Sequence, residues 1–175
     1  MRAKAVDSFR RRLPSEQGWL YDVIDSPGTV HASDPALRPN QLFAYGLPYA
    51  PLRGTGPGPV HAVARTLLTP LGLRTLSPAD PWYRGVHRGD PASRDQAYHQ
   101  GTVWPWLIGP YADAATAVGL PTDGLLDGLL AHLGEWVVGS VSETADGDAP
   151  HGATGCPFQA WSVAETLRVY QRDRR

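Results

Sequence analysis

The chain has 175 residues, 42% of them hydrophobic and 19% charged, with a formal net charge of −1. That is the length of one domain with enough apolar material for a core, so a disordered composition is excluded. No global basic field is present for nucleic acid or an anionic membrane, and no apolar run reaches the length of a bilayer span. The basic N-terminus (Arg2, Lys4, Arg10 to Arg12) lacks the apolar stretch of a secretory signal. The single cysteine, Cys156, forbids an internal disulfide and reads as cytosolic. The 19 Gly and 17 Pro, against roughly 20 for both in ordinary usage, punctuate apolar blocks and predict short elements joined by long ordered loops. Six Trp beside three Phe fit either core filling or aromatic platforms for sugar rings.

Residues 3–13 read as a helix, with Ala3, Val6, Phe9 and Arg10 on neighbouring turns and Pro14 as its stop. Residues 18–25, β-branched at Val23 and Ile24, predict a short strand or extended loop ending at the turn signal Ser26-Pro27-Gly28. A helix over 39–47 begins with Pro39 in its first turn and carries Leu42, Phe43 and Leu47 on one face. A second, over 59–68, spaces Val60, Val63, Ala64, Leu67 and Leu68 helically, so 39–68 is a helix hairpin. Residues 73–101 read as one long connection. Its content of Trp, Tyr, His, Arg and Asp favours a binding loop over disorder. Helices are predicted over 102–118, kinked at Pro110, and over 122–138, with Leu125, Leu126, Leu129, Leu130, Leu133 and Val137 on the apolar side. The acidic loop 139–156 separates these from a last helix over 157–172. There Trp161, Ala164, Leu167 and Val169 are expected to face inward, and Arg168, Arg172, Arg174 and Arg175 suit the C-terminal end of the helix dipole. Hairpins packed about a centre make an α/α toroid or solenoid, and the absence of a fixed repeat argues against TPR-like solenoids.

Three clusters carry chemistry. In RPNQ (38–41), Arg38, Asn40 and Gln41 either cap a helix or serve as fixed donors to hydroxyls in a cleft. RDQAYHQGTVWPW (94–106) sets Tyr98, His99 and Gln100 beside Trp104 and Trp106. It is either a buried network that ties down a loop or a site for a hydroxyl-rich ligand over an aromatic platform. SETADGDAPHGATGCPFQAWSVAE (142–165) offers Glu143, Asp146 and Asp148, carboxylates on a loop where a general base suits the mouth of a toroid. Its DGD lacks the spaced third ligand and distant Glu of a calcium loop. No close metal spacing, phosphate loop or cysteine-nucleophile setting is present, so no metal and no cofactor is expected.

RPNQLFAYGLP (38–48), LLTPLGLRTLSPADPWYRGVHRGDPASRDQAYHQGTVWPWLIGPYADA (67–114) and SETADGDAPHGATGCPFQAWSVAE (142–165) resemble the C-terminal catalytic domain of glycogen-debranching enzymes. The bacterial amylo-α-1,6-glucosidase type is the nearest in kind. YHQGTVWPW followed by QAWSVAE is the specific pair, and the resemblance runs from about Ala5 to Tyr170. It implies an all-α fold, a partial (α/α)6 toroid, with residues 1–175 as the C-terminal portion of one glucosidase domain. It also implies removal of α-1,6-linked glucose at glycogen branch points by inversion, with an acid and a base about 6.5–9.5 Å apart. Glu143 falls at the position of the family's base. Arg38, Asn40, Gln41, Tyr98, His99, Gln100, Trp104 and Trp106 are the expected sugar contacts, and Gln159 and Trp161 are expected to line the pocket floor or pack.

The family's acid is an aspartate in a WMD-type motif well upstream of RPNQ. The chain has no such motif, and Asp22, Asp25 and Asp34 lie too close to RPNQ to replace it. The early barrel helices are missing as well. The expectation is therefore a chain inactive alone, self-associating or pairing with its upstream half through exposed apolar faces. Its partner would be an α-glucan in the cytoplasm, with no nucleic acid and no membrane. Two other readings stand beside this one: a non-catalytic glucan-binding or interaction half-barrel, and a glucoamylase- or trehalase-like hydrolase.

Overall fold

A computed structural model of the chain describes residues 1–26, 33–136 and 138–173. Pro27 and Gly28 of the expected turn, Val137 of the expected apolar stripe, and Arg174 and Arg175 of the basic tail lie outside the described residues.

The fold is mixed, not all-α, and this corrects the expected all-α partial (α/α)6 toroid. Among the described residues, helices α1 (Arg2–Arg12), α2 (Phe43–Gly46), α3 (Gly58–Thr66), α4 (Pro91–Tyr98), α5 (Ile108–Ala117), α6 (Asp127–His132) and α7 (Ala160–Asp173) are interspersed with seven short strands. β1 (Val23–Ile24) pairs antiparallel with β2 (Ser33–Asp34). β3 (Leu68–Thr69), β4 (Gly72–Arg74), β5 (Val103–Trp104), β6 (Thr144–Ala145) and β7 (Ala153–Thr154) form an antiparallel sheet in chain order. The physical reason for the miss is length. A strand of two or three residues shows no alternation, and β4 finds β5 across some thirty residues of chain.

Helix starts explain most other differences. Val103–Trp104 is extended, and the 3-10 turn Pro105–Leu107 leads into α5. Pro110 thereby falls in the first turn of α5, where it costs no hydrogen bond, so it does not act as a mid-helix kink. The long connection 73–101 contains α4, whose cap is Asp90: its side chain accepts the Ser93 amide at 2.9 Å, with Pro91 at the first helical position. The helix expected over 122–138 is regular only over α6.

The core gathers around α5, which buries Ile108, Tyr111, Ala112, Ala114 and Ala115. Against it lie Leu42 and Tyr45 from the 39–46 segment, Val60, Val63 and Leu67 from α3 and its end, and Leu73 and Val103 from the sheet. Each such Val, Leu or Ile contributes about 1.5–3 kcal/mol by leaving water. α2 lies so close to α5 that a side-chain carbon on Gly46 would stand 3.0 Å from Asp113 Cβ and 3.1 Å from the Ala114 amide.

α7 departs from its expected orientation. Val169 is buried, but Trp161 is 53% and Leu167 50% exposed, and Ala164 is exposed too. The inward face is instead Ser162, Thr166 and Val169, with the Thr166 hydroxyl donating to the Ser162 carbonyl at 2.8 Å.

Gly72 turns the chain from β3 into β4 at φ +142°, and a Cβ there would meet the Trp104 carbonyl at 2.5 Å. Gly72→Ala combines a disfavoured backbone angle with a backbone collision. It is expected to destabilise the chain by at least about 2 kcal/mol, read from the urea midpoint with the slope unchanged.

Candidate functional site

Glu143 is the residue before β6, and it sits on a hairpin. Its amide donates to the Cys156 carbonyl at 2.8 Å, extending the pairing of Thr144 with Thr154 and of Ala145 with Ala153. Both side-chain oxygens are held. Oε2 accepts the Cys156 amide at 2.8 Å, and Oε1 accepts the Tyr98 hydroxyl at 2.6 Å. The segment 139–156, expected as a polar, acidic loop, therefore contains a short hairpin on which the Glu143 carboxylate is half-buried.

The other two carboxylates of that segment have different work. Asp146 is buried; its Oδ1 accepts the His87 amide and its Oδ2 the Arg88 Nε, each at 2.8 Å. Asp148 accepts the Tyr83 hydroxyl at 3.0 Å. Together they fasten residues 83–88 across the hairpin.

Tyr98 ends α4. Its ring meets Trp104 edge-on at 4.7 Å, His99 at 4.8 Å and His87 at 5.4 Å. His99 and Trp104 stack with planes 7° apart, and the Trp104 indole N–H donates to the Tyr98 carbonyl at 3.0 Å. Burial, then the hydrogen bond and charge of Glu143, push the Tyr98 phenol up to about 12. Tyr98 thus remains a donor throughout the neutral range.

A cavity of about 450 Å³ opens beside this layer, within the roughly 300–1,000 Å³ of small-ligand pockets. Its lining joins two of the clusters: Arg38 and Asn40 from the first, and His99, Gln100, Trp104 and Trp106 from the second. Trp161 joins from α7, stacked on Trp106 at 3.9 Å with Phe43 behind at 6.3 Å. Asp22 and Asp34 line it as well. Glu143 and Tyr98 do not: Tyr98 packs against the lining rings of His99 and Trp104, and Glu143 lies beyond it, on the Tyr98 hydroxyl.

Arg38 works as a clamp. Its guanidinium donates to the carbonyls of Thr75 at 3.1 Å and His99 at 2.7 Å and to Gln100 Oε1 at 2.8 Å, and it pairs with Asp22 at 3.4 Å. Asn40 Nδ2 donates to the same Asp22 at 2.8 Å. Gln41 is buried between the Leu20 amide and the Arg38 carbonyl, a structural position away from this cavity. Gln159 starts the α7 turn, its amide on the Val141 carbonyl at 3.2 Å, and does not line the cavity either.

Sequence reasoning missed Asp22, Thr75 and His87. Each reaches the site through contacts many residues away in the chain. HRGD carried no spacing that set His87 apart. Among the described residues, no group of three or more His, Cys, Asp or Glu is arranged to hold a metal ion, and no helix is long and apolar enough to cross a membrane.

His87 and His132 are buried. Burial pulls both imidazoles below their usual value; for His87 the charges of Asp146 and Glu143 oppose this and Arg94 adds to it, and for His132 Glu135 opposes it. The unfolded chain takes up these protons near about pH 6.5, and the folded chain only at lower pH. Between those values the unfolded state holds more protons, so stability falls as pH drops below about 6.5. His132→Gln is expected to flatten the decline in urea midpoint between about pH 7 and 5 relative to the parent.

Comparison with known proteins places this geometry. The family model for amylo-alpha-1,6-glucosidase matches residues 1–168. The glycogen debranching enzyme of Saccharomyces cerevisiae is 30% identical over 166 residues, covering 78% of this chain and 11% of that protein. The chain thus spans about a tenth of that relative's length. The match of the family model along nearly the whole sequence, on the segments that build the cavity and hold Glu143, makes this chain a member of the amylo-α-1,6-glucosidase family.

Proposed function

We propose that the chain carries the base-bearing part of an α-1,6-glucosidase that trims glucose from branched α-glucan. The observation that supports this best is the carboxylate of Glu143, fixed at both oxygens and joined through Tyr98 to the rings of His99 and Trp104, in a cavity also walled by Trp106 and Trp161. Indole faces suit the apolar face of a pyranose, and His99, Gln100 and Asn40 supply polar groups for hydroxyls. Arg38 is in this reading a wall support, because its guanidinium is already engaged by protein groups.

In the proposed reaction, Glu143 takes a proton from a water whose oxygen bonds to the anomeric carbon. The carbon–oxygen bond to the branch breaks on the opposite face, and a second carboxyl group protonates the departing oxygen. Asp146 and Asp148 fasten the 83–88 segment and Asp22 is held by Arg38 and Asn40; in this reading the proton donor is the family's upstream aspartate, supplied by sequence other than these 175 residues. Residues 1–175 are then one portion of a single catalytic unit, inactive when isolated. The reading requires no cofactor, and a cytoplasmic place agrees with the single free thiol of Cys156.

The same reading accounts for the exposed stripe of α7. Ala160, Val163, Ala164 and Leu167 lie at helical spacing on the surface with Trp161 beside them. Such a face drives self-association or pairing with the remainder of the unit. Sedimentation of the 18.9 kDa chain is expected to show concentration-dependent oligomers, and Leu167→Glu to shift them toward monomer. A parent that stays monomeric at all concentrations overturns the association.

Activity is read as glucose release from a limit dextrin, by the chain alone and by the chain together with the sequence that completes its site. The completed form is expected to release glucose and the isolated chain not to. Glu143→Gln in the active form is expected to cut turnover by about 100- to 10,000-fold with glucan binding nearly unchanged. Unaltered turnover removes Glu143 as the base; glucan binding without release in either form leaves a binding module.

A further inference from the structure

We infer that Tyr98 is a positioning residue for the Glu143 base, not a sugar contact. The inference rests on the hydrolase reading above and deepens it. A carboxylate on a flexible side chain swings about its last torsion, and a base must present one chosen lone pair to water. Two donors remove that freedom here. The Tyr98 hydroxyl, at 2.6 Å, takes a lone pair of Oε1, and the Cys156 amide, at 2.8 Å, takes one of Oε2. Each oxygen keeps a second lone pair, and the carboxylate plane is fixed between a side chain and a hairpin backbone.

Three observations set Tyr98 apart from a ligand contact. Its only hydroxyl proton is committed to Glu143. It does not line the cavity, whereas its neighbours His99 and Trp104 do. Its ring is half-buried and flanked by Trp104, edge-on at 4.7 Å, and the His87 ring at 5.4 Å. His87 is itself 7% exposed, and its Nδ1 lies 3.0 Å from the Thr154 hydroxyl on β7. Thr154 pairs with Thr144, the residue after Glu143. The strands that carry the base therefore also hold His87, and His87 backs the ring that grips the base. The contact set closes on itself around one carboxylate.

The test uses Tyr98→Phe, which deletes one oxygen and keeps the ring, in the form of the protein that releases glucose from a limit dextrin. A hydrogen bond to a charged group sets the scale: kcat is expected to fall about 10- to 100-fold, with KM changed by less than about threefold. In the Glu143→Gln background the same substitution is expected to change the residual rate by less than about twofold, because its effect passes through the carboxylate. Circular dichroism at the assay temperature checks folding. Should Tyr98→Phe not fold, Thr154→Val, which removes the nearer of the two hydroxyls at His87 Nδ1, is read by the same split and the same background. A raised KM with kcat retained, or full additivity with Glu143→Gln, overturns the inference and returns Tyr98 to the sugar contacts while Glu143 keeps its role. Unchanged turnover in Glu143→Gln, or no glucose release by any form, overturns the hydrolase reading and this inference with it.

Discussion

Arg38 is the charge on which the cavity is assembled. Its side chain is 18% exposed and that of Asp22 15%, so neither charge is free to stay in bulk water, and each is tolerated only because it is paired and hydrogen-bonded. The partners come from three separate stretches. Asp22 belongs to the segment before β1, the Thr75 carbonyl follows β4, and His99 and Gln100 follow α4. A guanidinium can do this because its donors fan out in one plane. A lysine would offer a point charge with no matching fork. Without Arg38, three carbonyl or amide acceptors and one carboxylate would face each other around an empty centre, and the walls holding His99, Gln100 and Asn40 would have no common anchor.

The second constraint acts on Glu143 from behind. A hairpin of two-residue strands is weak by itself, but this one is bolted down by its own acidic residues. Asp146 binds the His87 amide and Arg88, Asp148 binds Tyr83, and the Gly147 carbonyl takes the Arg74 Nε at 2.8 Å. A segment rich in carboxylates can be read as a reservoir of candidate bases. Here its neighbours divide the labour: Asp146 and Asp148 fasten residues 83–88, and Glu143 is the one of the three whose partner, Tyr98, packs against rings that line the cavity.

The helices were legible in the sequence because their signals are local. Pro39 at the start of its segment and the apolar spacing of Val60, Val63 and Leu67 fall where the structure has them. Asp90-Pro91 was equally legible as a helix start; reading the whole of 73–101 as one connection passed over it. The sheet was not legible. Leu73 pairs with Trp104 and Val103 with Ala145, and no pattern inside two residues announces a partner that far away. The site divides along the same line. Residue types in RPNQ and YHQGTVWPW did point to the cavity lining, since Arg38, Asn40, His99, Gln100, Trp104 and Trp106 all come to it. Gln41 and Tyr98 share those motifs without lining it, and Gln159 of QAWSVAE does not line it either. Type and proximity in sequence select a neighbourhood, whereas hydrogen bonds such as that from the Leu20 amide to Gln41 decide which way a side chain is spent.

α7 shows the limit of periodicity most sharply. Its apolar stripe is a good amphipathic pattern, and ordinarily that stripe faces the core. In this chain the buried side is Ser162, Thr166 and Val169, and the Ser162 hydroxyl finds no hydrogen-bond partner among the described residues. Hydrophobic burial alone would turn the helix the other way. What holds it is directional. Arg168 forks onto Asp113 of α5 at 3.0 and 2.9 Å, and Trp161 lies flat on Trp106. The contacts that fix the rotation of α7 are thus polar and aromatic, and one of them, the Trp106–Trp161 stack, is also a wall of the cavity. Rotating the apolar face inward would break that stack and the Arg168–Asp113 fork together.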